Sequence, residues 1–438
     1  MSHLAIRGMR GVRLPRLYYG WVLVLALGLT ETVSYGVLSY AFPVFIAPMG
    51  AELGWSKAAI TGAFSVALLT SGLVAIPLGH WVDRHGARAV MTGGSVLATT
   101  VLLLWSRVEG LAAFYLLALA LGVAMAAVLY EPAFAVVANW FVELRGRALT
   151  VLTFMGGFAS VIFVPLTTAL VAGQGWREAL LWLAGILALL TIPLHALLLR
   201  RRPEDLGLEV DGGPRPAATV SRRSMRPRTP QSAQLSTTAR QAVRSASFRW
   251  LAVAFGLSSV TTVGVAVHLI PLLLERGFSM SFAGAAMGMV GMMALPGRLI
   301  FTPLGSRWPR TAVTSMIFAL SALGLGILRG VGGAFGVWTF VALFGAGFGA
   351  ITPARAALLA EFYGREHYAS ISGVLALVIA LSGAAAPIGI SVLYKMAGGY
   401  DAVLWTLLAV SLLSGSAVLR AGMAEAKLQE GAAQSSPH

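Results

Sequence analysis

Twelve apolar runs, each long enough to cross a lipid bilayer, are the feature that most constrains how this chain folds. A membrane-crossing helix needs roughly 20 mostly apolar residues, and in lipid its backbone groups must bond within the helix. The pattern predicts an all-α membrane protein with 12 transmembrane helices. The runs lie at 18–46, 58–80, 88–106, 111–139, 147–172, 178–200, 248–274, 282–304, 311–329, 333–360, 368–394 and 401–420.

The composition excludes a soluble protein. Only 11% of the residues are charged and 57% are hydrophobic, whereas soluble domains carry about 25% charged residues. The chain has no cysteine, and its seven histidines are scattered, so we expect no disulfide, no metal site and no cofactor. The net charge of +15 is distributed between the apolar runs instead of along one face, which argues against nucleic-acid binding.

Arginine and lysine set the expected orientation and segment boundaries. They concentrate in the tails and in alternate connections, which predicts that both termini are cytoplasmic. The scarcity of lysine beside arginine fits a bacterial protein of the inner (cell) membrane. The predicted segments are an N-terminal tail (1–17), a six-helix bundle (18–200), a flexible cytoplasmic linker (201–246), a second six-helix bundle (247–420) and a C-terminal tail (421–438).

The two predicted bundles resemble each other. Pro77-Leu78-Gly79 matches Pro303-Leu304-Gly305, and Trp21 aligns with Trp250 at nearly the same offset. Because each half has six runs, the repeats share one orientation and form pseudo-symmetric halves. A central cavity between two such halves suits alternating access.

One motif between the second and third runs is specific. Gly79, Asp83, Arg84, Gly86 and Arg88 fit the G-x-x-x-D-R-x-G-x-R loop of the major facilitator superfamily, which the chain resembles over nearly its whole length. The resemblance implies the major facilitator fold and a gating role for this loop on the cytoplasmic side.

Finer features resemble the monocarboxylate-porter and oxalate–formate-antiporter branch. They include Tyr19–Val22 and the run Asn139–Ala148 that opens the fifth helix. The resemblance implies that Arg298 in the eighth helix holds the substrate carboxylate. Two departures are an absence of lysine within Leu375–Ser391 and an alanine, Ala294, where animal members have an aspartate.

Charged side chains inside the runs mark candidate binding residues, because each costs at least about 2.5–3.5 kcal/mol near the bilayer centre. A guanidinium such as that of Arg298 can clamp a carboxylate through two parallel hydrogen bonds. Tyr130, Tyr35 and His268 would line the same substrate cavity. The alternative for Arg298 is a structural anchor between helices.

Two acidic residues are candidates for proton coupling. Glu31 lies near the middle of the first run, and Glu131 precedes Pro132 at mid-depth in the fourth. Either carboxyl could carry a proton or simply bond to a neighbouring helix. Glu131 could also hold Arg298 when substrate is absent, and Arg355 could serve as a gate or an ion-pair partner.

The leading hypothesis is a secondary transporter that moves a small organic anion, a monocarboxylate, together with a proton. We expect a monomer whose partners are that anion, the proton and membrane lipid. The alternatives are proton-coupled efflux of hydrophobic or drug-like compounds and a non-transporting membrane receptor. The sequence contains no nucleophile or phosphate-binding motif that would indicate an enzyme.

Overall fold

The computed structural model describes residues 18–212, 239–305 and 307–434. The predicted N-terminal tail therefore lies outside the described residues, as do most of the linker and the last four residues. The described chain is helical apart from short connections, and no β-strand occurs within these ranges.

Twelve long helices, α1–α12, form the described fold. All are long and apolar enough to cross a bilayer, which confirms the predicted all-α membrane protein. Their bounds are Tyr19–Leu53, Lys57–His85, Ala87–Trp105, Leu111–Trp140, Arg145–Gln174, Trp176–Leu198, Ala246–Glu275, Met280–Phe301, Arg310–Gly330, Gly333–Tyr363, Tyr368–Ala397 and Tyr400–Leu428.

Two helices extend furthest beyond their predicted ends. α1 continues beyond residue 46 through Pro48 and ends where Gly54 turns left-handed at φ +69°, a conformation that glycine adopts without steric cost. α12 continues beyond residue 420 to Leu428. The first residues of the predicted C-terminal tail are therefore helical.

The helices form two six-helix bundles with the same internal packing. In the first bundle α1 packs on α5 and α6, α2 on α4, and α3 on α6. In the second bundle α7 packs on α11 and α12, α8 on α10, and α9 on α12. The pairs correspond one to one, so the bundles are pseudo-symmetric copies, as the sequence repeat predicts. We call them the N half and the C half.

The two halves meet mainly through α2 with α11 and α5 with α8. We call the end of the bundle at which α1, α5 and α7 begin the terminal face, and the other end the far face. Near the terminal face Gly79 of α2 approaches the backbone of Ala369, and Gly373 of α11 approaches that of Ala75. Glycine is required at such points because a Cβ would overlap a backbone atom.

The apolar core shows which end of the molecule is closed. One continuous core joins the N half to residues of α7, α10 and α11 near the terminal face, including Phe255, Leu359 and Ile371. The far-face part of the C half has a separate core around Leu273 and Phe340. Apolar packing between the halves is therefore concentrated at the terminal face, which is closed in this conformation.

Helices α8 and α10 touch backbone to backbone. At three glycines a Cβ would overlap a backbone carbonyl of the facing helix, so the two backbones lie in close contact there. The facing pairs are Gly297 with Ala346, Gly345 with Val290, and Gly349 with Ala294.

The start of the linker is ordered, contrary to the predicted flexibility of residues 201–246. Asp211 accepts hydrogen bonds of 2.9–3.2 Å from three successive backbone N–H groups, residues 142–144, at the start of α5. A carboxylate at this helix end offsets its positive dipole. Glu204 forms a 3.2 Å ion pair with Arg365 of the C half. These contacts fold the segment back onto the terminal face.

Candidate functional site

Arg298 lies between the two halves and is only 9% exposed. Its Nε donates to the carbonyl of Gly349 on α10 at 3.2 Å, and its Nη1 donates to the carbonyl of Thr153 on α5. The guanidinium also lies beside the hydroxyl of Tyr130 on α4. One side chain of the C half is thus held against two helices of the N half.

A break in α5 supplies the carbonyl that Arg298 uses. The N–H of Gly157 is shared between the carbonyls of Thr153, at 3.0 Å, and Phe154, at 3.1 Å. The two residues after Gly156 form a turn before the helix resumes at Ala159. The tightened turn leaves the Thr153 carbonyl accessible to the guanidinium of the opposite half.

A second break, in α4, positions the aromatic side of the site. Leu129 is extended, with φ −87° and ψ −169°, and the helix restarts at Tyr130. Pro132 then lies in the first turn, where a missing N–H leaves no intrahelical bond unmade. The ring of Tyr130 lies 4.6 Å from that of Tyr35 on α1, centroid to centroid.

Glu131 forms a largely buried ion pair with Arg355, across the halves. The Glu131 Oε1 to Arg355 Nη2 distance is 2.6 Å, and the two side chains are 19% and 13% exposed. The hydroxyl of Ser372 on α11 donates to the other carboxylate oxygen. The expectation that Glu131 holds Arg298 is therefore wrong for this conformation, because Arg355, on α10, is the guanidinium that reaches it.

Glu31 is fully buried in α1, one turn before Tyr35. Neither carboxyl oxygen has a hydrogen-bond partner within the part of the chain that the structure describes. An ionised carboxylate without a partner is very costly in an apolar interior. We therefore expect Glu31 to be neutral in this conformation, with a proton that it can release when its surroundings change.

Asp83 of the loop motif joins the halves at the terminal face. Its two carboxylate oxygens accept 2.9 Å hydrogen bonds from the backbone N–H groups of Ala369 and Ser370, and the Ser370 hydroxyl donates as well. These N–H groups begin α11, so the carboxylate lies at the positive end of a helix of the opposite half.

The other motif residues have different positions. Gly86 has φ +84° and lies against Arg201 of the linker, so its lack of a side chain permits both the turn and the contact. Arg84 and Arg88 are exposed. Of the five motif residues, Gly79 and Asp83 contact the opposite half within the described part of the chain.

Loss of the Asp83 charge should loosen the terminal face. We expect Asp83→Asn to weaken the bonds to the α11 N-terminus by about 1–3 kcal/mol, because hydrogen bonds to charged acceptors are the stronger ones. Hydrogen exchange of the Ala369 and Ser370 amides should then be faster, roughly 5- to 100-fold, since each 1.4 kcal/mol is a factor of 10. Unchanged exchange of these two amides would contradict the assigned contact.

His268 is not in contact with Arg298 and lies at a different depth. His268 Nδ1 lies 3.2 Å from the hydroxyl of Tyr400 at the start of α12. A helical rise of about 1.5 Å per residue places Arg298 roughly 15 Å further from the far face than His268. The histidine therefore belongs to the far-face part of the C half.

Sequence reasoning missed two side chains that act between the halves. Ser372 contacts Glu131, as described above, and no charge or motif marks it in the sequence. Arg145, 6% exposed, donates to the carbonyl of Ala360 in the C half at 3.1 Å and to two carbonyls of its own half. The sequence signal that could have found it is an arginine placed directly before the fifth apolar run.

The fold and the site define a twelve-helix membrane transporter built from two related halves. The sequence profile of the Major Facilitator Superfamily matches residues 27–387. The chain belongs to this superfamily of secondary transporters.

Individual proteins are similar over most of the chain. Human monocarboxylate transporter 11 is 29% identical over 416 residues, which cover 92% of this chain and 81% of the transporter. The solved structure of the human organic anion transporter MFSD10 has a TM-score of 0.68 at 16% identity, covering 92% of this chain and 100% of its own. A bacterial homologue of the iron transporter ferroportin, in an outward-facing state, also gives 0.68 at 16% identity, with 93% and 100% covered. The two structures share the fold with this chain.

Proposed function

We propose that this transporter moves a small organic anion, with a monocarboxylate as the preferred substrate, together with a proton. The observation that carries the proposal is the position of Arg298, a buried guanidinium at the boundary of the halves. Backbone carbonyls, one from each half, accept from two of its nitrogens. A charged carboxylate is a stronger acceptor than a carbonyl, so a substrate anion can replace the Thr153 carbonyl.

The charges of the site are divided between the halves, which supports coupling to a proton. The acids, Glu31 and Glu131, are on α1 and α4 of the N half. The guanidiniums, of Arg298 and Arg355, are on α8 and α10 of the C half. A monoanion neutralises Arg298 and a proton neutralises an acid, so loading both adds no net charge.

Alternating access would open the terminal face and close the far face. The predicted topology makes the terminal face cytoplasmic, so the described conformation would be the outward-facing one. The ferroportin homologue with the similar fold was solved in an outward-facing state, which agrees with this assignment of the conformation. The names of the two similar human proteins, a monocarboxylate transporter and an organic anion transporter, agree with the proposed substrate class. We propose that one chain suffices, as a monomer without a cofactor.

Uptake into proteoliposomes tests the proposal. Labelled lactate, pyruvate and other small carboxylates would be offered with and without an inward proton gradient. We expect the gradient to raise the initial uptake rate several-fold, and protonophore to abolish the increase. Export of lipophilic cations without uptake of any acid would instead indicate proton-coupled efflux.

Glu31→Gln should separate proton coupling from anion binding. Glutamine keeps the size and the neutral state of the buried side chain but cannot release a proton. We expect stimulation by the gradient to fall to near zero, while exchange of labelled for unlabelled anion continues. Full stimulation in this variant would remove Glu31 from the coupling mechanism and leave Glu131 as the candidate.

A further inference from the structure

Two adjacent glycines in α5 face the two polar groups at the centre of the site. A Cβ at Gly156 would overlap the hydroxyl of Tyr130, and a Cβ at Gly157 would overlap Nη1 of Arg298. Both glycines lie where α5 is interrupted. The space that side chains would occupy in an ordinary helix is thus filled by the groups proposed to contact substrate.

These glycines differ from those that serve helix packing. At Gly79 and Gly297 an added Cβ would overlap the backbone carbonyls of Ala369 and Ala346, which cannot move without shifting a helix. At Gly157 the nearest atoms belong instead to the ends of two flexible side chains, those of Arg298 and Leu295. An alanine at Gly157 can therefore be accommodated by the fold, provided that the guanidinium and the tip of the Leu295 side chain move.

We propose that Gly157 is a positioning residue for Arg298, and the proposal rests on the anion-binding role of that arginine. The missing side chain allows the guanidinium to lie against α5 and bond to the Thr153 carbonyl. A methyl group would push it away from α5, toward Gly349 on α10. The cation would then be displaced from the boundary where an anion can contact both halves.

Gly157→Ala tests this role, and α5 provides a matched control. Gly173 lies in the same helix, and no described atom lies within 4 Å of a Cβ built there. Alanine is the better helix former, so Gly173→Ala should leave uptake unchanged. We expect Gly157→Ala to raise KM for the anion about 10-fold or more, with a smaller change in kcat, because anion binding is what the displaced guanidinium loses.

A thermal unfolding cycle separates displacement of Arg298 from a simple packing defect. The side chain of Leu295 also lies close to the point that a Cβ at Gly157 would occupy, at 2.5 Å, and it would be the source of such a defect. We would measure Tm of the purified protein for Gly157→Ala, Arg298→Ala and the double variant. If the methyl acts through the guanidinium, Gly157→Ala lowers Tm by several degrees in the wild-type background and by none when Arg298 is absent.

The same decrease in both backgrounds would overturn the positioning role, because Leu295 and the backbone would then be the cause. The cycle does not depend on transport. If Gly157→Ala does not change Tm when Arg298 is absent, and the protein takes up no acid, the steric contact between residue 157 and Arg298 is supported. The proposed substrate is then rejected. Wild-type KM in Gly157→Ala, for a protein that transports acids, would reject the positioning role and retain the function.

Discussion

Replacing Arg298 with alanine is expected to abolish gradient-driven anion uptake, to the level of empty liposomes. The site would keep its carbonyls and hydroxyls but lose its cation at the boundary of the halves. Arg298→Lys should retain the charge and lose the paired, planar donors. A lost charged hydrogen bond costs about 1.5–3 kcal/mol, which predicts kcat/KM roughly 10- to 100-fold below wild type, measured as initial rates in proteoliposomes.

Arg329→Lys is the matched control for these variants. Arg329 pairs with Asp401 at 2.9 Å near the far face, where both side chains are partly exposed. Exposed ion pairs contribute little, so uptake should remain near wild type. Wild-type uptake by Arg298→Lys, with normal amounts of protein in the membrane, would contradict the carboxylate-binding role.

The second large effect is expected from Glu131→Ala, which removes the carboxylate from a buried ion pair. The Arg355 guanidinium would remain buried without its partner, and the Ser372 hydroxyl would lose its acceptor. Breaking one side of a buried pair costs about 3–5 kcal/mol. We expect Glu131→Ala to lower Tm of the purified protein clearly. Adding Arg355→Gln should restore part of the lost Tm, because the unpaired guanidinium is then gone.

Glu361→Ala is the control, because it removes the glutamate of a more exposed glutamate–arginine pair. Glu361 lies 3.1 Å from Arg310, and its side chain is 45% exposed. Its removal should change Tm little. Equal effects of Glu131→Ala and Glu361→Ala would show that the central pair does not hold the halves together.

The fold could be predicted from the sequence because lipid leaves few choices. Apolar runs of sufficient length must become helices, and the repeat relates the two halves. The charged members of the site were also identifiable, since an ionisable residue inside a membrane run is costly and therefore marks a candidate functional position. Arg298, Glu31, Glu131 and Arg355 were found in this way.

The contacts among those residues could not be predicted. Spacing along one helix gives neither the rotation of its neighbour nor its depth, so Glu131 was matched with Arg298 when Arg355 is its partner. The contact of His268 with Tyr400 could not be predicted for the same reason. Asp211 gave no signal either, because one acid in a polar segment has no periodic pattern that connects it to a distant helix end.

The direct backbone contacts between α8 and α10 have a mechanical consequence. At Gly297 and Gly349 the nearest atoms of the facing helix all belong to its backbone, so no layer of movable side chains lets one helix slide past the other there. We therefore expect α8 and α10 to move as one rigid unit, with the distance between the backbones of Arg298 and Arg355 unchanged when the halves move. A change in the electric field at Arg298 would then come from movement of α1 and α4, the helices that carry Glu31 and Glu131.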